Sequence, residues 1–261
     1  MSVAEPLAVA APEAAVAERL AVTAPEMSVA EPLAVAAPEA SVTEQGAALR
    51  WDWLGRAPYA RVLADQVALR ERVLAGESRG ALLLCEHAPT LTLGRSADRR
   101  NVLASPEALR AAGVAVHEIE RGGDVTYHGP GQLMIYPVVR VRSALGLLAC
   151  VGEVLAALCA DLGVVGAEFR ASPAGLWLGE AKLAACGLHL RRGVVIHGWA
   201  LNVATPPQAW TLLRPCGGDA PQRSLAEALA ARGLPAPEVL DVAATLGQRL
   251  ARALPAILSA A

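Results

Sequence analysis

Arg121 to Pro137 reads Arg-Gly-Gly-Asp-Val-Thr-Tyr-His-Gly-Pro-Gly-Gln-Leu-Met-Ile-Tyr-Pro. Glycine opens positive φ and leaves bare backbone for a neighbour or ligand, while proline fixes φ and removes a donor. A chain cannot run a helix through such a stretch. It must turn tightly and enter the apolar, β-branched and aromatic run from Leu133 to Val141, which reads as a strand. The expectation is a shaped loop fixed to a sheet, where binding sites tend to sit. The residues alone leave open a plain hairpin with one ordinary histidine, His128.

The first 46 residues read differently. Met1–Ala14 recurs identically as Met27–Ala40, in a segment of Ala, Val, Pro and Glu with seven Glu against one Arg. Its prolines forbid a long helix, and without an aromatic it has nothing to anchor a core. Residues 1–46 are therefore expected to be a disordered Ala/Pro/Glu-rich repeat tail, and 47–261 a single folded domain. The tail carries −6, which leaves +4 on the rest of a chain whose net charge is −2. So mild a basic excess suits an acidic partner and does not point to nucleic acid.

Between Trp51 and Ala261, strand and helix patterns interleave. Helices are expected at Pro58–Leu74, Ser105–Ala112, Ala144–Leu162, Ser224–Ala231 and Pro237–Leu254, with a short one at Pro207–Leu213. Strands are expected at Ala81–Cys85, Thr90–Leu93, Val114–Ile119, Leu133–Val141, Ala167–Arg170, Leu176–Leu178, Leu183–Leu190 and Val194–Val203. The last two are joined as a hairpin at Arg191-Arg192-Gly193. Ser224-Leu-Ala-Glu227 is a capping box. The pattern is α+β, a mixed β-sheet with packed helices. The apolar run Ala144–Ala160 is short of the ~20 residues a span needs and carries Glu153, so it reads as a core helix and no membrane is implied.

Five cysteines, Cys85, Cys150, Cys159, Cys186 and Cys216, are scattered without a CxxC pair. That pattern argues against a disulfide framework and a zinc site, and fits a reducing, cytoplasmic setting. No signal-peptide n-region opens the sequence.

Of 23 basic residues only Lys182 is lysine. A position kept as Lys where every other has become Arg suggests a need for a side chain that can release a proton. Cys216, in the turn Pro215-Cys-Gly-Gly218, is the best-placed nucleophile, since the other four cysteines sit in apolar runs and read as small core hydrophobes. An adjacent ammonium favours a thiolate, so a Cys216–Lys182 pair would supply an activated nucleophile and a proton acceptor. His128 and His197 are further acid/base or contact candidates. No ligand spacing for a metal is present, and no P-loop or GxGxxG fingerprint.

Taken together, Glu86-His-Ala-Pro89 with Thr92-Leu-Gly-Arg95, Arg121-Gly-Gly-Asp-Val-Thr-Tyr-His-Gly-Pro-Gly-Gln132, Lys182-Leu-Ala-Ala-Cys-Gly187, His197-Gly-Trp-Ala-Leu-Asn202 and Pro215-Cys-Gly217 resemble the lipoyl(octanoyl) transferases of the LipB type. The resemblance covers roughly residues 50–255. It implies the catalytic-domain fold of the biotin/lipoate protein ligases. It also implies transfer of octanoate from acyl carrier protein to a lysine of lipoyl domains of 2-oxoacid dehydrogenase E2 subunits, or of the glycine-cleavage H protein, by a monomer needing no cofactor. Cys216 falls on the family's acyl-thioester cysteine and Lys182 on the lysine that lowers that thiol's pKa. Arg121, Gly122, Gly123, Asp124, Val125, Thr126, Tyr127 and His128 fall on acyl-binding segments. So do Ala185, Cys186 and Gly187, and Gly198, Trp199 and Ala200. Asp124 and Gly218 depart from the usual pattern. The alternatives are an ATP-dependent lipoate ligase of the same fold, which needs no cysteine nucleophile, and a non-catalytic acyl-carrier-binding module.

Overall fold

The computed structural model describes residues 48–215 and 218–259. The repeat tail and Cys216 lie outside them. A seven-stranded mixed sheet organises the domain, in the order β1-β2-β6-β10-β9-β8-β7. Its strands are β1 (Trp51–Arg56), β2 (Gly80–Glu86), β6 (Gln132–Val139), β7 (Ala167–Ala171), β8 (Ala174–Leu178), β9 (Ala181–Arg191) and β10 (Val194–Asn202). A second sheet of three strands runs β4-β3-β5, with β3 at Thr90–Leu93, β4 at Ala115–Glu118 and β5 at Val125–His128. The helices are α1 (Tyr59–Leu74), α2 (Pro106–Ala111), α3 (Ala144–Asp161), α4 (Leu225–Ala230) and α5 (Val239–Ala253).

The expected α+β class and most elements match. Two strands were not foreseen. β1 is an edge strand whose Trp-Asp-Trp alternation is too short to stand out, and its ladder to β2 is parallel. β5 lies inside the stretch expected to be loop. The Pro207–Leu213 helix is a 3₁₀ turn at Pro207–Leu212.

β6 and β10 are buried along their whole length because helices cover both faces of the sheet there. On one face Leu84, Leu133, Ile135, Val195, Trp199 and Leu201 pack against α3 and α5 through Leu147, Val151, Leu155, Leu246 and Leu250. α3, apolar and long enough to resemble a membrane span, thus spends its apolar stripe on this core. On the other face Cys85, Met134, Tyr136, Ile196 and Ala200 meet α1 through Val62, Leu69 and Val73. A separate small core of Leu91, Leu93, Val125, Tyr127, Leu109 and Leu212 joins the small sheet to α2 and the 3₁₀ turn. α1 covers only part of its face of the large sheet. The remainder, over β9 and β10, faces the small sheet, and a pocket lies between them.

Candidate active site

The pocket has a cavity volume of about 50 Å³, or about 470 Å³ of empty space when the solvent at its open mouth is counted, and the sides of it that face each other come from both sheets and α1. Arg121, Gly122, Gly123, Thr126 and His128 come from β5 and the loop before it. Ala185, Cys186, Gly187, Gly198, Trp199 and Ala200 come from the hairpin β9–β10. Three residues of the same blocks turn away. Val125 and Tyr127 alternate with Thr126 and His128 along β5, so the pleat sends them into the small core. Asp124 points outward, where its carboxylate accepts from the Asp98 N–H at 2.8 Å and from the Asn101 side-chain amide. It staples the 94–101 loop to the pocket wall.

Bare backbone matters here at two close approaches. A Cβ at Gly122 would meet only ordinary contact, at 3.6 Å from the Leu188 carbonyl. The close approaches are at Gly187, whose Cβ would lie 2.9 Å from the Gly122 carbonyl oxygen, and at Gly94, whose Cβ would lie 2.3 Å from that of Gly123. Gly122 N–H donates to the Leu188 carbonyl at 3.1 Å, while Arg95 and Ser96 N–H donate to the Arg121 and Gly123 carbonyls. The glycines let the loop lie flat on β9 and on the turn after β3.

A buried polar chain runs behind the wall. The Arg121 guanidinium donates to the Thr92 carbonyl at 2.7 Å and to Thr92 Oγ1 at 2.9 and 3.3 Å. Thr92 Oγ1 is 3.2 Å from His128 Nε2, His128 Nδ1 is 2.9 Å from Gln132 Oε1, and Gln132 Nε2 donates to Asn202 Oδ1 at 2.9 Å. Since Gln132 offers its oxygen to the ring, Nδ1 carries the hydrogen and Nε2 accepts from the Thr92 hydroxyl. The neutral imidazole satisfies every partner. Burial, His87 and Arg121 together hold the His128 pKa well below the ordinary histidine value. Asn202 Nδ2 completes the chain on the Arg223 carbonyl at 3.4 Å.

α1 contributes Tyr59, whose ring stacks on His128 with centroids 5.9 Å apart and meets His87 edge-on at 5.1 Å. His87 Nδ1 donates to the Ala57 carbonyl at 2.8 Å and Nε2 accepts from the Tyr136 hydroxyl at 2.9 Å. Burial pulls the His87 pKa down to about 4 and pushes the Tyr136 hydroxyl well up. His197 lines the pocket in a left-handed conformation, φ 62°, that non-glycine residues rarely adopt. Its N–H leaves the strand and donates to Gln66 of α1 at 2.8 Å. Burial and Arg121 lower its pKa to about 3. Tyr59, Met134 and Tyr136 were not foreseen as pocket residues. Alternation along β6 gives the signal for the last two, because Met134 and Tyr136 share a face with Gln132.

Lys182 is the second residue of β9, buried to 5% exposure, with its ammonium 4.7 Å from the centroid of the Trp177 ring. Among the described residues no carboxylate pairs with it. Its backbone holds the segment that follows Cys216, since Lys182 N–H donates to the Pro221 carbonyl at 2.8 Å and Arg223 N–H to the Lys182 carbonyl at 3.0 Å. Upstream of Cys216, Arg214 N–H donates to the Asn101 carbonyl at 2.7 Å. The described residues before and after Cys216 are thus each tied by backbone hydrogen bonds to a different part of the fold.

The profile of the family described as lipoyl protein ligase A/B catalytic domain matches residues 58–246. An octanoyltransferase of Acidobacterium capsulatum is 45% identical over 181 residues, which cover 63% of this chain and 73% of that one. The fold resembles a lipoate-protein ligase A bound with ATP, with TM-score 0.59 at 14% identity over 80% of this chain and 86% of the other. It also resembles a bipartite lipoate protein ligase of Thermoplasma acidophilum, described with its E2 lipoyl domain, with TM-score 0.54 at 14% identity over 80% and 84% of the two chains. The chain belongs to the lipoyl protein ligase A/B catalytic-domain family and, within it, to the octanoyltransferases, which are acyltransferases of protein lipoylation.

Proposed function

We propose that the enzyme takes an octanoyl or lipoyl group from the thioester of acyl carrier protein and places it on a lysine of lipoyl domains of 2-oxoacid dehydrogenase E2 subunits or of the glycine-cleavage H protein. The acyl group passes through a thioester on Cys216. The observation that carries this reading is the anchoring of the Cys216 segment on the backbone of Lys182, whose strand continues into the pocket wall at Ala185–Gly187. Pro221 lies five positions after Cys216, a reach of at most about 18 Å. A lipoyl domain beside a ligase of the same fold in Thermoplasma acidophilum supports that class of acceptor.

In the first step the Cys216 thiolate attacks the donor carbonyl, and collapse of the tetrahedral adduct expels the carrier thiolate, which takes a proton from the Lys182 ammonium. One thioester replaces another, so the exchange is close to balanced. In the second step the acceptor amine attacks the enzyme thioester, its proton passes to Lys182, and the Cys216 thiolate leaves. An amide replaces a thioester, so this step runs downhill. His128, neutral and committed at both ring nitrogens, shapes the wall and does not shuttle the proton. Cys85, Cys150 and Cys159 stand as thiols outside any disulfide, which supports a reducing cytoplasm.

The test is the intact mass of the enzyme mixed with octanoyl carrier protein in the absence of ATP. The expected result is a gain of one octanoyl group, abolished by Cys216→Ala, followed by transfer to a lipoyl domain that Lys182→Arg suppresses. Transfer that requires ATP and leaves Cys216→Ala active would replace this mechanism with that of a ligase.

A further inference from the structure

The register of the large sheet places a graded row of side chains under the pocket. Ala185 of β9 stands directly opposite Ala200 of β10, Ala200 opposite Met134 of β6, and Met134 opposite Cys85 of β2. Directly opposed residues share a face, so this is one continuous row across four strands. One step along, Gly187 stands opposite Gly198. Along these two opposed pairs the floor over β9 and β10 is made of methyl groups and hydrogens, with His197 beside them. It rises at β6, where Met134 and Tyr136 stand in the lining together with Tyr59 of α1. Cys85, next in the row, does not line the pocket and belongs to the core beneath α1. The trough therefore stops at Met134.

We propose that Met134 is the end stop that sets the acyl chain length this enzyme accepts. The inference rests on the reading above, which puts the acyl carbonyl at the β9 end, beside Lys182. From Ala185 to Met134 the trough crosses two strand spacings, about 10 Å, a run that an extended eight-carbon acyl chain fills. A shorter chain leaves methylenes of the trough uncovered, at a cost of about fourfold in binding for each one. A longer chain meets the thioether of Met134. Methionine is unbranched and adaptable, so the stop yields gradually, and activity falls off beyond eight carbons over several members of a series.

The experiment measures kcat/KM for transfer from butyryl, hexanoyl, octanoyl, decanoyl and dodecanoyl carrier protein to a lipoyl domain. Met134→Ala moves the optimum roughly two carbons longer, with decanoyl gaining on octanoyl by about tenfold or more. Because it opens a core cavity, Met134→Val is measured beside it and moves the optimum by about one carbon. Ala200→Leu fills the middle of the trough, so octanoyl loses at least about tenfold while butyryl keeps most of its rate. If both Met134 variants keep the wild-type ranking while Ala200→Leu blocks octanoyl, the chain lies in the trough but Met134 is not its stop, and the proposal falls alone. If Ala200→Leu leaves every chain length unchanged, the acyl group lies elsewhere and the reading of the pocket falls with it.

Discussion

Thr92→Val removes one hydroxyl from the middle of the polar chain behind the pocket and keeps the side chain's shape. That hydroxyl accepts from Arg121 Nη2 at 2.9 Å and Nε at 3.3 Å and faces His128 Nε2 at 3.2 Å. Thr92 is fully buried, so water does not replace it. The Arg121 guanidinium keeps its bond to the Thr92 carbonyl at 2.7 Å, so the loss is partial on that side. A hydrogen bond to a charged group is worth about 1.5–3 kcal/mol, and an orphaned buried acceptor costs about 1–3 kcal/mol. With the overlap between them, Thr92→Val is expected to lower the unfolding free energy by about 2–4 kcal/mol in a urea titration. Thr92→Ser keeps the hydroxyl and loses a methyl, at about 1 kcal/mol. A Thr92→Val protein within 0.5 kcal/mol of wild type would show that the Arg121–Thr92–His128 links do not hold the wall, and would refute the argument.

His87 and His197 have pKa values near 4 and 3 in the folded protein, and that of His128 is also depressed, against an ordinary value of 6.5. Their neutrality contributes stability that is fully present above about pH 6.5. It is lost as pH falls toward 4 and 3, by up to about 1.4 kcal/mol per pH unit for each group. Chemical denaturation across pH 7 to 4 checks this, and a flat profile for wild type would contradict it. Gly187→Ala places a Cβ 2.9 Å from the Gly122 carbonyl oxygen. The glycine loop must lift off β9, at a cost of about 1–3 kcal/mol, with a higher KM for the acyl donor, measurable by steady-state kinetics. Ser224→Ala breaks a complete capping box, in which Ser224 Oγ accepts from Glu227 N–H and the Glu227 carboxylate accepts from Ser224 N–H. A loss of about 1 kcal/mol in thermal or urea unfolding is expected.

Local chemistry is enough to find much of this protein. The Gly-Gly and Gly-Pro-Gly steps around His128 announce a turn before a strand. Ser224 and Glu227 announce a helix start. Each of these signals is carried by neighbours within a few residues, so the chain shows it without folding. The alternation of β5 was hidden because its glycine-rich surroundings speak louder than a four-residue strand. Its pleat decides that Thr126 and His128 face the pocket while Val125 and Tyr127 do not.

Long-range register decides the rest. Nothing near Met134 in the chain says that Ala200 and Ala185 lie beside it, because the row exists only once β9, β10 and β6 pair. Tyr59 reaches His128 because α1 packs on that face, 69 positions away by number. The neutral state of His128 follows from Gln132 being held by Asn202, two strands that meet only in the sheet. Residue type and spacing, through the family resemblance they carry, were sufficient to place the chain among the acyltransferases of protein lipoylation. The shape of the pocket, and which side chains stand in it, waited on tertiary pairing, because burial and hydrogen-bond partners are properties of the neighbours that folding supplies.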